Sequence, residues 1–208
     1  MNNVLEVDHP VIDIYLTALR DNTTNTAAFR RAMANIGNIL AYHALSELPL
    51  KEFEVETPIQ KTKGYTPSCD VIVVPILRAG LSLVDGIINF IPEAKVGHIG
   101  VYRDEESHEP VNYYHNLPKG IENAFTLVVD PMLATGGSGS HAIKFLKESG
   151  AKNIRFVALI AAPEGIARLQ NDHPDVPIII ASIDEKLNDQ AYIVPGLGDA
   201  GDRYFGTT

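Results

Sequence analysis

The residues best suited to chemistry lie where an apolar run gives way to a loop of small residues. Residues 125–129 read FTLVV, Asp130 follows at once, and residues 134–138 read ATGGS. Glycines let successive backbone N–H groups converge on one point, and serine and threonine hydroxyls add further donors. A helix that begins directly after such a loop adds the partial positive charge of its N-terminus. The stretch therefore predicts a phosphate site with a carboxylate beside it.

Two common phosphate-binding loops do not match this stretch. The Gly-Lys-Ser/Thr ending of nucleotide-kinase loops is missing, and the glycine spacing differs from that of dinucleotide-binding loops. The chain also carries a net charge of -9, so its overall field repels a polyanion. Local N–H groups and arginines must therefore attract such a ligand. The same charge argues against sequence-independent binding to nucleic acid or to an anionic membrane.

Three other polar segments could complete a site. Arg78 follows the apolar run 71–77, and a guanidinium grips a diphosphate with a planar fork that stays charged. Residues 103–120 form a long polar connection between apolar runs, and a connection of this length in a compact domain is usually functional or disordered. The C-terminal segment 190–208 is rich in glycine. The first two segments directly follow apolar runs that can anchor them.

The elements that position these segments can be predicted from periodicity. Apolar runs without alternation are typical of strands buried on both faces, and such strands are mostly parallel. Five such runs occur, at 71–77, 95–102, 125–129, 154–162 and 177–183. Helical patterns separate several of them, at 80–90, 137–149 and 163–172. The alternation predicts right-handed crossovers and a doubly wound, mostly parallel α/β sheet.

The N-terminal part has a different pattern. One helix is expected to start near Pro10, and Thr26 is expected to cap a second, longer helix. Residues 52–59 alternate between apolar residues and glutamates, which predicts a half-exposed strand. With no linker or repeat evident, residues 1–208 are interpreted as one domain.

The remaining features exclude several classes of protein. Cys69 is the single cysteine, so neither an internal disulfide nor a cysteine metal cluster is expected. The N-terminus lacks the basic and apolar regions of a signal peptide, and no apolar run approaches the roughly 18 residues needed to cross a bilayer. A cytoplasmic location is therefore expected.

The stretch VVDPMLATGGS (128–138) resembles the phosphoribosyl-diphosphate (PRPP) signature of type I phosphoribosyltransferases. Most of these enzymes have two adjacent acidic residues, whereas Pro131 here occupies the second position, as in the uracil branch. The likeness continues in PILRAGL (75–81), YRDEESHEP (102–110), AAPEGI (161–166), ASID (181–184) and YIVPGLGDAGDRYFGT (192–207). It covers most of the chain from residue 70, so the chain is identified as similar to the uracil phosphoribosyltransferase family.

The resemblance implies a type I phosphoribosyltransferase fold with N-terminal helices, a flap and a C-terminal base-binding loop. It assigns the PRPP 5-phosphate to residues 134–138, the ribose hydroxyls to Asp130, and the diphosphate to Arg78 and Arg103. A strained, cis peptide bond is expected between Arg78 and Ala79. The full set expected to contact PRPP is Arg78, Arg103, Asp130, Pro131, Met132, Leu133, Ala134, Thr135, Gly136, Gly137, Ser138 and Asp199.

The resemblance also implies how the base is held. Segment 104–120 is expected to cover the site, since an oxocarbenium-like centre must be kept from water. Uracil is expected to bind at Ile193, Gly198, Asp199 and Ala200. Direct catalytic roles fall to Asp199, Arg78, Arg103 and Asp130, with Asp199 a candidate for assisting removal of the N1 proton.

The partners implied are uracil and PRPP, with Mg²⁺ carried by PRPP rather than held in a protein cage. A homodimer or higher homo-oligomer is expected, and the resemblance leaves open a nucleotide effector such as GTP. Two alternatives remain at this point. One is a regulatory protein on the same fold that senses uridine nucleotides and binds RNA, against which the net charge and Pro131 count. The other is a purine-specific enzyme, against which the segment PGLGDAGDR counts.

Overall fold

The computed structural model describes residues 3–103 and 110–207, with the side chains of residues 102, 103, 110 and 112 outside the described part. Six helices occur in it: α1 (Pro10–Arg20), α2 (Thr26–Ala44), α3 (Val84–Ile88), α4 (Gly137–Glu148), α5 (Pro163–Asp172) and α6 (Ala200–Phe205). Two short 3₁₀ turns, Ala79–Leu83 and Ile121–Asn123, accompany them.

The described residues form thirteen strands, several of them only two residues long. They are β1 (Val4–Glu6), β2 (Leu50–Glu56), β3 (Lys61–Pro67), β4 (Val71–Leu77), β5 (Lys95–Val96), β6 (His98–Arg103), β7 (Pro110–Asn116), β8 (Phe125–Val129), β9 (Met132–Leu133), β10 (Asn153–Ala161), β11 (Ile178–Ile183), β12 (Lys186–Leu187) and β13 (Ile193–Val194).

The main sheet has the strand order β1-β11-β10-β8-β4-β6-β7, with β5 beside β4 and β9 beside β10. All its pairings are parallel except β6 with β7. This order places β8 at the centre of the sheet, between β10 and β4. In a parallel sheet the carboxyl ends of neighbouring strands share one edge, where ligands bind. The doubly wound, mostly parallel α/β fold predicted from the sequence is confirmed.

Both faces of the sheet are covered by helices, which explains the unbroken apolar runs. Val71 and Val73 face one core with α1 and α2, whereas Ile72 and Val74 face a second core with α4 and α5. On the first face α2 contributes a fully buried stripe at helical spacing, made of Phe29, Met33, Ile36 and Leu40. The central strands are therefore apolar at nearly every position, because each side chain enters one core or the other, with Thr126 and Arg155 as buried exceptions.

The two N-terminal helices begin as their sequences indicate. His9 precedes Pro10 and accepts a hydrogen bond from the Val11 N–H at 3.1 Å. Asn25, rather than the expected Thr26, caps α2 by accepting from the Ala28 N–H at 3.0 Å. Proline lacks an N–H and tolerates the first turn, whereas the short asparagine side chain reaches the free N–H groups of its helix.

The strand predicted at 52–59 is shifted and has a partner that the pattern did not indicate. β2 pairs antiparallel with β3, and the two form a hairpin separate from the main sheet. Nearly all of β2 is exposed, so the expectation of a half-exposed strand was wrong for the chain considered alone. Lys61 bonds Glu54 at 2.6 Å, and Lys63 lies 2.8 Å from Glu52 across the hairpin. Cross-strand ion pairs thus account for the alternating glutamates.

Two further elements differ from the predicted ones. The helix expected at 80–90 is a 3₁₀ turn followed by the short α3, because the chain crosses α2 closely at Gly86. A Cβ on Gly86 would lie 2.6 Å from the backbone of Gly37. The strand expected at 95–102 divides into β5 and β6 at Gly97. Within residues 3–103 and 110–207 no helix is long and apolar enough to cross a membrane.

Candidate active site

The phosphate loop, residues 130–138, connects the end of β8 to the start of α4. Backbone bonds from the neighbouring strand hold it: the Leu159 and Ile160 N–H groups both donate to the Pro131 carbonyl, at 3.1 and 3.0 Å. The Ala162 N–H donates to the Leu133 carbonyl at 2.9 Å. The loop is therefore fixed by β10 before any ligand binds.

A glycine makes the sharp turn from this loop into α4. Gly136 has φ of +75°, in the left-handed region that favours glycine, and α4 begins at the next residue. A Cβ at Gly136 would lie 2.8 Å from the Gly165 carbonyl oxygen. The helix N-terminus opens onto a cavity of about 90 Å³, which is lined by Asp130, Met132, Leu133, Ala134, Thr135, Gly136, Gly137, Ser138 and Gly139. This is the geometry of an anion site made by backbone donors and a helix end.

Asp130 lies on the floor of the site, where protein surrounds its carboxylate. Burial raises the pKa of Asp130 to about 7, against the opposing effect of a hydrogen bond from the Met132 N–H. The residue keeps partial exposure to the cavity. Among the side chains that the structure describes, none with a positive charge pairs with this carboxylate, and a buried carboxylate without such a partner is costly. Such a group gains most from a ligand that brings hydroxyl donors or a cation.

The carboxyl end of β4 brings a second segment to the same edge. The peptide bond between Leu77 and Arg78 is cis, whereas the sequence-based expectation placed a cis bond between Arg78 and Ala79 and was wrong by one residue. Arg78 already has helical dihedral angles and precedes the 3₁₀ turn, so the chain changes direction before it. Gly80 then packs closely against β8. A Cβ at this position would lie only 2.4 Å from the Val129 carbonyl oxygen, so a larger residue would not fit.

The Arg78 guanidinium lies near α6. Its Nη2 is 3.3 Å from Asp202 Oδ1, and its Cζ is 5.7 Å from the centre of the Phe205 ring. The side chain is 59% exposed, so it is accessible to a ligand. Arg103 ends β6, but the contact predicted for its side chain lies outside the described residues. Residues 104–109 of the flap predicted at 104–120 also lie outside the described residues.

Residues 110–116 of the predicted flap form β7, which pairs with β6. This pairing makes the segment an antiparallel extension of the sheet edge. His115 packs on the ring of Phe145 in α4, with ring centres 4.9 Å apart. The long connection is thus partly a β-arm.

The C-terminal loop, residues 191–201, forms the other wall of the site. β13 pairs with β12, the Val194–Pro195 bond is cis, and Gly198 has a φ of +79°. Asp199 caps α6 by accepting from the Asp202 N–H at 2.8 Å. Ile193 and Ala200 are buried, whereas Asp199 is exposed.

A cavity of about 250 Å³ separates this loop from the end of the sheet. Its lining consists of Ala79, Asp130, Met132, Ala134, Ala191, Tyr192, Ile193, Gly198, Asp199, Ala200 and Gly201. It shares Asp130, Met132 and Ala134 with the cavity at the helix N-terminus. The two cavities are therefore one continuous cleft, with an anion-binding end and a mainly apolar end joined at a carboxylate.

Most of the residues singled out from the sequence meet in this cleft. Pro131 is buried within the loop and does not line the cleft, and Arg78 lies beside the cleft without lining it. Sequence reasoning missed five lining residues: Ala79, Gly139, Ala191, Tyr192 and Gly201. Four of these adjoin residues that were predicted, so adjacency was the available signal. Ala191 has a φ of +62°, and an alanine gives no sequence sign of that conformation.

The described residues include no group of three or more His, Cys, Asp or Glu side chains that could hold a metal ion. Asp130 and Asp199 both line the larger cavity and present carboxylate oxygens, the ligand type that Mg²⁺ prefers. The donor set thus fits an ion that arrives with most of its ligands already supplied.

Comparison with known proteins gives a consistent result. A uracil phosphoribosyltransferase of Acholeplasma laidlawii is 54% identical over 207 residues, with 100% of both chains covered. The solved structure of the AQ2163 protein from Aquifex aeolicus has a TM-score of 0.92 at 37% identity, covering 99% of each chain. An adenine phosphoribosyltransferase from Trypanosoma brucei is 12% identical with a TM-score of 0.59, over 92% of this chain and 88% of that one, which shows the shared fold alone.

Nothing in these likenesses supports the RNA-binding regulatory protein considered from the sequence. The family model described as uracil phosphoribosyltransferase matches residues 6–207. The match includes the whole cleft, from the end of β4 to the C-terminal loop. This chain belongs to the uracil phosphoribosyltransferase family.

Proposed function

We propose that this chain transfers the 5-phosphoribosyl group of PRPP to N1 of uracil, giving UMP and diphosphate, with residues 1–208 acting as one domain. The observation that carries the proposal is the continuous cleft in which the phosphate loop and the C-terminal loop meet at Asp130. A phosphorylated sugar needs an anion site and hydroxyl acceptors side by side. A flat base needs a narrow, mainly apolar slot within reach of C1.

The 5-phosphate would bind at the helix end of the cleft, at Ala134, Thr135, Gly136, Gly137 and Ser138. Backbone N–H groups and the positive end of α4 would attract the phosphate locally, whereas the net charge of -9 repels it. Asp130 would accept hydrogen bonds from the ribose hydroxyls. Burial raises the pKa of Asp130 to about 7 and so disfavours its ionised form. The hydroxyl donors would favour the ionised form and would bind it tightly.

Arg78 and Arg103 would bind the diphosphate that leaves. Arg78 is exposed beside the cleft and pairs with Asp202, so it can exchange that partner for a diphosphate oxygen. A guanidinium placed there stabilises the charge that develops as the C1–O bond breaks. Catalysis then rests on alignment of N1 with C1 and on exclusion of water, without a covalent nucleophile.

The base would bind to the C-terminal loop at Ile193, Gly198, Asp199 and Ala200. Uracil presents two carbonyl acceptors with an N–H donor between them. Backbone groups of a glycine-rich loop can match that edge at fixed distances. Cytosine presents a donor in place of one acceptor, and an unpaired buried polar group costs about 1–3 kcal/mol, so cytosine should be rejected.

Asp199 would assist removal of the N1 proton. Its carboxylate lines the cavity while one oxygen holds the Asp202 N–H. Replacement by asparagine keeps that cap but removes the base, so kcat should fall by about 10²–10⁴-fold. An unchanged rate in Asp199→Asn would end this assignment.

Mg²⁺ is proposed to bind as part of the substrate, through PRPP oxygens, with Asp130 and Asp199 as the nearby protein carboxylates. When bound, the ion would neutralise the diphosphate and stabilise its departure. The protein side chains would keep the sugar and the base oriented around it.

Three further expectations complete the proposal. Self-association fits the exposed apolar side chains of the β2–β3 hairpin, which include Leu50, Phe53 and Tyr65. Light scattering on a sizing column tests it. A GTP effector stays a prediction, to be tested by adding GTP during PRPP titration. A cytoplasmic location is likewise part of the proposal.

The test of the function is conversion of labelled uracil. Uracil should become acid-stable UMP only when PRPP and Mg²⁺ are both present, and hypoxanthine should not compete. Asp130→Asn should abolish most of this turnover, whereas Glu122→Gln, an exposed change remote from the cleft, should leave it intact. Turnover of hypoxanthine in preference to uracil, or retention of RNA on a filter at moderate salt, would overturn the proposal.

A further inference from the structure

A buried ion pair lies directly behind the C-terminal loop. Asp184 follows β11, and only 2% of its side chain is exposed. Arg20, the last residue of α1, bonds both carboxylate oxygens, through Nη1 at 2.9 Å and Nη2 at 2.5 Å. This two-point geometry fixes both side chains relative to each other.

The pair holds both polar groups of one loop residue. The Gly196 N–H donates to Asp184 Oδ2 at 2.9 Å, and Arg20 Nη1 donates to the Gly196 carbonyl oxygen at 2.8 Å. Gly196 has a φ of +65°, and a Cβ there would lie 2.1 Å from the Ile193 carbonyl oxygen. Its peptide groups are thus held in one orientation by side chains from distant parts of the chain.

A second arginine holds the next residue from the other side. Arg203 of α6 donates to the Leu197 carbonyl oxygen at 2.7 Å and also to the carbonyl oxygens of Leu19 and Asp21. Its guanidinium stacks 4.4 Å from the centre of the Phe29 ring. The end of α1 therefore contacts the C-terminal loop through two separate arginine contacts.

We infer that Arg20 and Asp184 are positioning residues for base recognition, acting through Gly196 on Ile193 and Gly198. Neither side chain lines the substrate cleft. They set the orientation of the loop backbone, and the N-terminal helix thereby takes part in selecting the base. The inference rests on the proposed binding of uracil to the C-terminal loop.

The position of Gly196 explains why its orientation matters. It lies three residues after Ile193 and two before Gly198, which are the lining residues nearest to it on either side in the sequence. Hydrogen bonds to a base edge lose strength steeply with misalignment. A rotation of the peptide at Gly196 would therefore weaken base binding more than phosphate binding, because the phosphate loop is held separately by β10.

The test compares KM for uracil with KM for PRPP in two variants. Asp184→Asn removes the charge and weakens the hold on both Arg20 and Gly196. Its KM for uracil should rise about tenfold, the loss expected for one charge-assisted hydrogen bond, with KM for PRPP changed less than about twofold. Arg20→Lys keeps the charge but cannot serve the carboxylate and the Gly196 carbonyl together, so a smaller rise of about threefold is expected.

Arg155→Gln is the matched control. Arg155 is also an arginine paired with a carboxylate, bonded to Glu47 at 2.6 Å and stacked 4.2 Å from the Phe125 ring, but it lies near the amino end of β10. Its loss should lower the melting temperature without changing either KM. Hydrogen exchange over residues 193–199 should become faster in Arg20→Lys and stay unchanged in Arg155→Gln.

The outcomes separate this inference from the proposed function. If the wild-type chain does not convert uracil, the proposed function fails and the inference fails with it. If it does, but folded Asp184→Asn and Arg20→Lys keep the wild-type ratio of the two KM values, the inference alone is overturned. The same holds if Arg155→Gln shifts that ratio equally, because loss of stability would then explain the effect. Should Asp184→Asn not fold, Arg20→Lys decides the matter.

Discussion

Replacement of Asp130 by asparagine is expected to stabilise the ligand-free protein while it removes activity. The carboxylate lies on the floor of the cleft, where burial raises its pKa to about 7. Asparagine has nearly the same shape and can still accept from the Met132 N–H. The change therefore removes the cost of holding a buried charge and little else.

The size of this effect depends on pH. Because the pKa is raised in the folded chain, the folded state binds the proton more tightly than the unfolded state. Stability from this group is thus complete below the ordinary pKa of 3.8 and is lost as pH rises to about 7. At 1.36 kcal/mol per pKa unit, the loss in the wild type is about 0.6 kcal/mol at pH 4 and about 4 kcal/mol at pH 8. The figure at pH 8 is an upper limit, since Asp130 is partly exposed to the cavity.

Urea denaturation of the wild type and Asp130→Asn at pH 4, 6 and 8, without PRPP or uracil, measures the effect. The free energy of unfolding of the variant should exceed that of the wild type by an amount that grows with pH. Glu122→Gln removes the same charge from an exposed site and serves as the control for general charge repulsion. Its difference from the wild type should stay within about 0.5 kcal/mol.

Two results would contradict this reasoning. One is a stability difference between Asp130→Asn and the wild type that does not change with pH. The other is a variant that is less stable than the wild type at pH 8. Either result would mean that the ionised carboxylate is already stabilised within the empty cleft. Asp130 would then have no unmet interaction to offer a sugar.

Three further predictions concern positions around the cleft. Gly80→Ala should lower stability by about 1–3 kcal/mol in thermal denaturation, since its Cβ would lie 2.4 Å from a carbonyl oxygen of β8; Gly37→Ala, where the nearest atom is 3.6 Å away, should not. A hydrogen bond from the Ser140 hydroxyl lowers the pKa of Asp172, so Asp172→Asn should destabilise the chain at pH 7, with the deficit closing as pH falls below 3.8 in urea titrations. Arg78→Lys should raise KM for PRPP about tenfold. Its melting temperature should hold, because the ion pair of Arg78 with α6 is exposed.

Much of the fold could be predicted from the sequence, because buried parallel strands leave an unambiguous pattern. The runs at 71–77 and 125–129 match β4 and β8 at both ends. The two-residue strands β9, β12 and β13 could not be predicted, since they depend on pairing with distant segments rather than on local preference. The β2–β3 hairpin could not be predicted for a related reason. β3 contains Gly64 and two lysines and has little apolar character of its own.

The candidate site could be predicted from the sequence where the backbone geometry requires particular residue types. An aspartate, glycines and hydroxyls after a buried strand indicated the phosphate loop, and the structure brings that loop to the C-terminal loop. The contacts behind the site could not be predicted from the sequence. Arg20 and Asp184 are 164 residues apart, and nothing local marks either as part of a pair. Such contacts require the folded chain, because they arise from topology alone.

The contact between α1 and the C-terminal loop has a consequence for the order of events during translation. Strands β4, β8 and β10 can associate once residue 161 has left the ribosome. Arg20 must wait for Asp184 and Gly196, and the carbonyl oxygens of Leu19 and Asp21 must wait for Arg203. In a nascent chain the end of α1 therefore lacks these partners until residue 203 has emerged, and the C-terminal loop forms its contacts with α1 only after that point.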